Sequence, residues 1–287
     1  MLLYRAMAWV TRVSGLWLLR GMASVVAAGY FLFLPRRLAH SVRFYRAVFP
    51  ERSTLHAVRC AWRQYQDFAR VYSERLEIER RSDIAFECDG EEYLAEARKA
   101  GRGALVLMSH FGRWEIGARL LARRQQGVTL VMGGQKDGGT RAGVDKDLRG
   151  AGVGVVTIPE GQGQASDILQ AVQRLREGGM VSLAADRALG DARKLRMPFL
   201  GHVVEIAAAP FALALTSGAP VLTVFSVRLG PRRYRFTSDP PITLVAKNRD
   251  ERQVVMERAA AAYLQRLHDM VKAHPEQWQN FGQFFVE

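Results

Sequence analysis

The sequence predicts an α/β fold: a mostly parallel central sheet flanked by helices, entered through an N-terminal membrane-associating helical segment. Three observations carry that expectation. From about residue 84 short apolar runs alternate with helical stretches; the runs are apolar throughout rather than on every second residue; and the first third of the chain is both apolar and acid-poor. Strands that are apolar throughout need cover on both faces, which parallel sheets receive from the helices of their crossovers. With 287 residues, 48% of them hydrophobic, the chain can bury a substantial core.

The N-terminal elements come first. "GMASVVAAGYFLFL" (21–34) carries no charge but is 14 residues long, short of the ~20 needed for a full span. Residues 5–34 are therefore expected as a helix lying in, or dipping into, a bilayer, with Trp9, Trp17 and Tyr30 at headgroup level. A buried helical hairpin is the alternative. After Pro35 the pattern turns amphipathic: Leu38, Val42, Tyr45 and Phe49 fall on one helical face, Arg36, His40 and Arg43 on another. Residues 52–80 read as one long helix. The expected division is a membrane-associating helical part over 1–82 and an α/β domain over 83–287.

Charge separates the two parts. The chain has 41 Lys and Arg against 28 Asp and Glu, a formal net charge of +13. Residues 1–82 hold 14 arginines, no lysine and 5 acids, none of the acids before Glu51. A basic segment beside an apolar one suits an anionic membrane surface. The same charge could serve nucleic acid, but no nucleic-acid motif or aromatic-basic platform accompanies it, so no nucleic-acid partner is expected.

In the second part the expected strands are 104–109, 128–132, 153–158, 180–185 and 220–227, with 233–237 and 241–246 as edge strands. Helices are expected around 90–99, 112–125, 164–177, 206–217 and 249–273. His110 follows the first strand, Glu160 the third, and Asp186 with Arg187 the fourth. The carboxyl ends of parallel strands share one edge, where ligands bind, so these residues are expected around one cleft.

"LVLMSHFGRWEIG" (105–117) holds the chemistry. If His110 lies in the strand-to-helix turn, with Gly112 permitting the bend, Glu115 on the first helical turn reaches back to one ring nitrogen. The other nitrogen is then free to take a proton from a hydroxyl or amine. On spacing alone a histidine at a strand end is structural more often than catalytic, and Glu115 can simply be an acid favouring a helix N-terminus. The cysteines, Cys60 and Cys88, form no metal knuckle, the other histidines no paired ligand spacing, and Ser109 no nucleophile elbow. No P-loop or dinucleotide fingerprint is present. Neither a metal nor a cofactor is expected.

The stretch "DGEEYLAEARKAGRGALVLMSHFGRWEIG" (89–117) closely resembles the first signature of the bacterial lipid A biosynthesis acyltransferases, within the lysophospholipid acyltransferase superfamily. Its hallmark is His-x4-Asp/Glu after a glycine-led apolar strand. The resemblance continues through "GGMVSLAADRALGDARKLRMPFLGHVVEIAAAPFALALTSGAPVL" (178–222) and "HPEQWQNFGQFF" (274–285). It implies acyl transfer from an acyl-carrier protein or coenzyme A thioester to a hydroxyl or amine of a lipid or glycolipid acceptor. It also implies His110 as base and Glu115 as its orienting partner, without metal, at the cytoplasmic face of a bacterial inner membrane. A lipid- or carrier-binding protein of the same fold without catalysis is the alternative. Arg113 stands where many relatives have Asn and reads either as a phosphate ligand for acceptor or donor or as a solvated residue. Asp186 and Arg187 are candidate substrate-binding residues, Arg187 as a positioning cation or as the ion-pair partner of Asp186. Glu160 reads as a helix-start acid. Gln277, Trp278, Asn280 and Phe281 close the cleft or pack on it, Trp278 and Phe281 being spaced like a helical core face.

Overall fold

The computed structural model describes residues 16–78, 84–101, 103–123, 127–134, 148–159, 165–187 and 193–286. It is a mixed α/β structure. Three helices open the described chain: α1 (Leu16–Phe33), α2 (Pro35–Val48) and α3 (Thr54–Ile78). Pro35 starts α2 because its fixed φ and missing N–H suit a first helical turn and cannot continue α1. The two helices meet at 88°. Among the described residues no single helix is long and apolar enough to cross a membrane, whereas α1 and α2 pass that test together as a bent pair. The part of the expected 5–34 helix before residue 16 lies outside the described residues.

The next elements are β1 (Ala85–Asp89), α4 (Glu91–Lys99), β2 (Ala104–Met108), α5 (Trp114–Arg123), β3 (Val128–Gly134), β4 (Gly154–Pro159), α6 (Ala165–Arg176) and β5 (Met180–Ala184). Then come β6 (Lys194–Phe199), β7 (His202–Ala207), α7 (Ala209–Ser217), β8 (Val221–Gly230), β9 (Arg233–Ser238), α8 (Glu251–Ala273), a 3-10 turn (Pro275–Gln277) and β10 (Phe285–Val286).

Seven strands form the main sheet in the order β1-β9-β8-β2-β5-β3-β4. Every neighbouring pair is parallel except β8 with β9. Central β2 is buried at all five positions, as an apolar strand covered on both faces must be. The main core lies on one face of the sheet and takes in Leu105, Leu107, Val181 and Leu183. The second core, with Val106, Met108, Leu130 and Val155, lies on the other. Consecutive strand residues point to opposite faces. Helix α8 turns Met256, Ala260, Tyr263, Leu264, Leu267 and Val271 into the main core at helical spacing.

Three expectations need correcting. Residues 233–237 do form a strand, but β9 is flanked by β8 and β1 rather than lying at the edge. Residues 241–246 form no strand; a single bridge, Ile242 to Val221, is all that joins them to the sheet. A second sheet, β10-β7-β6, was not foreseen. In β6 Leu195, Met197 and Phe199 are buried while Lys194, Arg196 and Pro198 are exposed. This period-2 pattern marks a half-covered strand. The β6–β7 turn is Leu200-Gly201 at φ 53° and 75°, which fits the type I′ turn favoured by two-residue hairpins.

Candidate active site

The register of β2 and β5 builds the site. Met108 is paired with Ala184, and the ladder runs one step further through Ala185 N–H donating to Met108 O at 3.0 Å. Two residues past each strand, His110 and Asp186 therefore meet. The His110 backbone N–H donates to Asp186 Oδ2 at 2.9 Å, and His110 Nδ1 stands 2.8 Å from Asp186 Oδ1. The Asp186 side chain is fully buried, whereas that of His110 is one-third exposed.

Burial alone would raise the Asp186 carboxyl. The charge and hydrogen bond of His110, the charge of Arg187 and the His110 backbone N–H outweigh it and hold the group below the ordinary aspartate value. An ionised carboxylate only accepts. His110 Nδ1 therefore carries the proton, and Nε2 is the nitrogen left for other chemistry. Two further groups close round Asp186. Trp278 Nε1–H donates to Oδ2 at 3.0 Å, and Tyr263 of α8, its hydroxyl 3.4 Å from Met108 O, lies beneath as a phenol held neutral by burial.

The turn after His110 is fixed from two sides. Phe111 bridges Trp278 in antiparallel fashion, Gly112 N–H donates to Gln277 O at 2.8 Å, and Gln279 N–H donates to His110 O at 2.7 Å. Gly112 sits at φ 56°, and a Cβ there would lie 1.7 Å from Ser226 O, so no side chain fits. The 275–280 segment is itself gripped. Gln64 of α3 donates to the carbonyls of Trp278 and Asn280, and the Gln277 amide exchanges two hydrogen bonds with the Arg228 backbone. Trp278 follows the 3-10 turn in extended conformation, not on a helical face.

The other candidate residues fall in different surroundings. Glu115 lies in the first turn of α5, its Oε2 4.0 Å from Arg113 Nε, while Nδ1 of the imidazole it was expected to reach is bonded to Asp186. Arg113 is buried, not set beside the imidazole in the open: its Nη1 donates to Val71 O of α3 at 3.2 Å. Arg187 directs Nη2 to the carbonyl of Gln279 and adds positive charge near Asp186. Glu160 lies outside the described residues. Sequence reasoning put Asp186 at the right edge but gave it no bond to His110, and it left Trp278 without a role at the carboxylate. The signal for the first was present: "ALVLMSH" and "MVSLAAD" are equal-length segments ending in the two partners.

Beneath α3 a second polar group is buried. Arg228 pairs with Asp67, Tyr234 donates to Glu74 at 3.4 Å, and Arg113 adds its charge. Desolvation pushes the Asp67 and Glu74 carboxyls up against the pull of these arginines. Gln64, Asp67, Val71 and Glu74 thus form one stripe of α3 that meets the α/β part through polar contacts.

A comparison with individually curated proteins returns no match. The profile of one family, bacterial lipid A biosynthesis acyltransferase, matches residues 2–285. With nearly the whole length matched, the chain belongs to the bacterial lipid A biosynthesis acyltransferase family.

Proposed function

We propose that this protein moves a fatty acyl chain from an acyl-carrier protein or coenzyme A thioester to a hydroxyl or amine of a lipid or glycolipid acceptor, with His110 as general base. The observation that carries this reading is the His110–Asp186 pair at the carboxyl edge of the sheet. With Nδ1–H directed at a carboxylate, Nε2 takes the proton of the acceptor as its oxygen or nitrogen attacks the thioester carbonyl carbon. The new C–O or C–N bond forms, the C–S bond breaks, and the imidazolium returns its proton to the departing thiolate. Asp186 stabilises the imidazolium without leaving its place, so no covalent acyl-enzyme is required.

The orienting task that spacing suggested for Glu115 passes to Asp186 in this proposal. Glu115 and Arg113 act one step away by holding the active-site turn against α3. Arg187 offers positive charge for the phosphate-bearing donor or acceptor.

Attachment to an anionic membrane surface at the cytoplasmic face of the inner membrane belongs to the same proposal. Its support is the outer face of α1, where Trp17, Val25, Val26, Leu32 and Phe33 are exposed. Apolar side chains in such a row suit the headgroup boundary better than water.

The decisive experiment compares total lipid extracts by mass spectrometry from cells making wild type or His110→Ala at matched, folded levels. A species heavier by one acyl group, present only with wild type, is expected and identifies chain and acceptor together. The same species at the same yield with His110→Ala would overturn the mechanism.

A further inference from the structure

We propose that Trp278 is a positioning residue of the transfer site: its indole N–H shares the Asp186 carboxylate with His110 and sets how firmly that carboxylate holds the imidazole. This inference rests on the reading of His110 as the base. Among the described residues Asp186 receives three N–H groups: His110 Nδ1–H on Oδ1, and the His110 backbone and Trp278 Nε1 on Oδ2. Each donor draws off part of the carboxylate's charge. The charge left to stabilise an imidazolium therefore depends on whether the indole is bonded. A base must give its proton back to the leaving thiolate, so a carboxylate that held the imidazolium too strongly would slow the second half of the reaction.

Several features suit the indole to this task. Its ring is fully buried, packed 4.4 Å from Phe44 of α2 and 4.8 Å from Phe284. Its backbone is bridged to Phe111 and held by Gln64 of α3. A buried indole N–H needs an acceptor, and here that acceptor is Asp186. Among the described residues, the titratable or charged groups facing the carboxylate are His110, Arg187 and, from α8, Tyr263 with its phenol held neutral by burial. The helices α2 and α3 present Phe44 and the uncharged Gln64 to Trp278. The indole thus tempers Asp186 by hydrogen bonding without adding charge.

The test replaces the indole of Trp278 with benzothiophene, incorporated as benzothienylalanine, which keeps the ring shape and removes only the N–H. The probe is diethyl pyrocarbonate, which modifies neutral imidazole; carbethoxylation of His110 is followed by peptide mass spectrometry from pH 5 to 8 and needs no substrate. Without the indole N–H more charge remains for the imidazolium, so the reactivity profile of His110 moves to higher pH by about 0.5–1 unit. In Asp186→Asn it moves to lower pH. A benzothienyl protein with wild-type melting temperature and an unmoved or lowered profile would overturn the inference and leave Trp278 as core packing. Failure of the base assignment has a different signature: His110→Ala would still produce the acylated lipid.

Discussion

His110 and Asp186 face each other because β2 and β5 are parallel neighbours with Met108 opposite Ala184, so that two more residues on each strand bring imidazole and carboxylate within 2.8 Å. No loop has to close to make the pair. Rigid sheet geometry positions a site better than a loop can, and the imidazole, one-third exposed above a fully buried carboxylate, uses only one of its two nitrogens for this pair.

Asp186→Asn and Glu115→Gln separate the two acids. Asn keeps the size of Asp186 but can leave the imidazole in the wrong tautomer, and acyl transfer is expected to fall about a hundredfold to ten-thousandfold. Glu115→Gln removes a charge that faces Arg113 rather than the imidazole. The acid limb of its rate profile is therefore expected at the wild-type pH, whatever the change in maximal rate. A shifted limb in Glu115→Gln with an unshifted one in Asp186→Asn would reverse the assignment.

Acid titration of stability gives a second handle on Asp186. Its folded-state value lies below the ordinary one, so its contribution is complete above the unfolded value, near 3.9, and is lost as pH falls through the lower folded value. Urea unfolding from pH 6 to 2 should show wild type losing part of its margin over Asp186→Asn at the acid end. Parallel curves throughout would mean that the carboxyl is not held low.

Gly112→Ala is expected to fail structurally. The methyl would overlap Ser226 O, and φ 56° disfavours any side chain. The turn must shift, with a loss of about 2–4 kcal/mol in stability and loss of transfer. Thermal unfolding together with the lipid assay checks this; a variant matching wild type in both would contradict the turn geometry.

Different physics decided which parts could be read from sequence. The strands β2, β3, β4, β5 and β8 announce themselves as apolar runs, and in β2 and β5 the reason is cover on both faces. The β6–β7 hairpin hides its signal, since Lys194 and Arg196 alternate with Leu195 and Met197 and its turn is Leu-Gly rather than Asn-Gly. At the site, a histidine after an apolar strand was legible, but its partner was not. Adjacency of β2 and β5 arises from crossover connections, and local spacing favoured Glu115. Trp278 lies farther still from the local motif, because the chain must complete α8 before it returns beside Phe111.

The buried Arg228–Asp67 pair should make α3 a sensitive joint. Arg228 and Asp67 are both nearly excluded from solvent, so Asp67→Ala strands a guanidinium, at a cost of about 3–5 kcal/mol. Replacing both partners, as in Asp67→Leu with Arg228→Met, removes the charge together with its counter-charge and should recover most of that loss. Denaturant unfolding of the single and double variants measures the coupling. A single variant as stable as wild type would mean that the pair is not closed in solution.

Membrane attachment can be tested without touching the site. Trp17 is 72% exposed and Phe33 80%, at opposite ends of α1 and away from His110 in sequence. Replacing both with serine leaves the Arg228–Asp67 and His110–Asp186 contacts intact but removes two of the largest apolar groups available to a bilayer. Sedimentation with vesicles of anionic lipid at ~0.15 M salt should show wild type in the pellet and the double variant shifted towards the supernatant. Raising the salt should weaken what remains further, since the basic residues of α2, including Arg36, Arg37 and Arg46, are expected to contribute by charge. Equal sedimentation of both proteins, with equal salt dependence, would assign attachment to another surface.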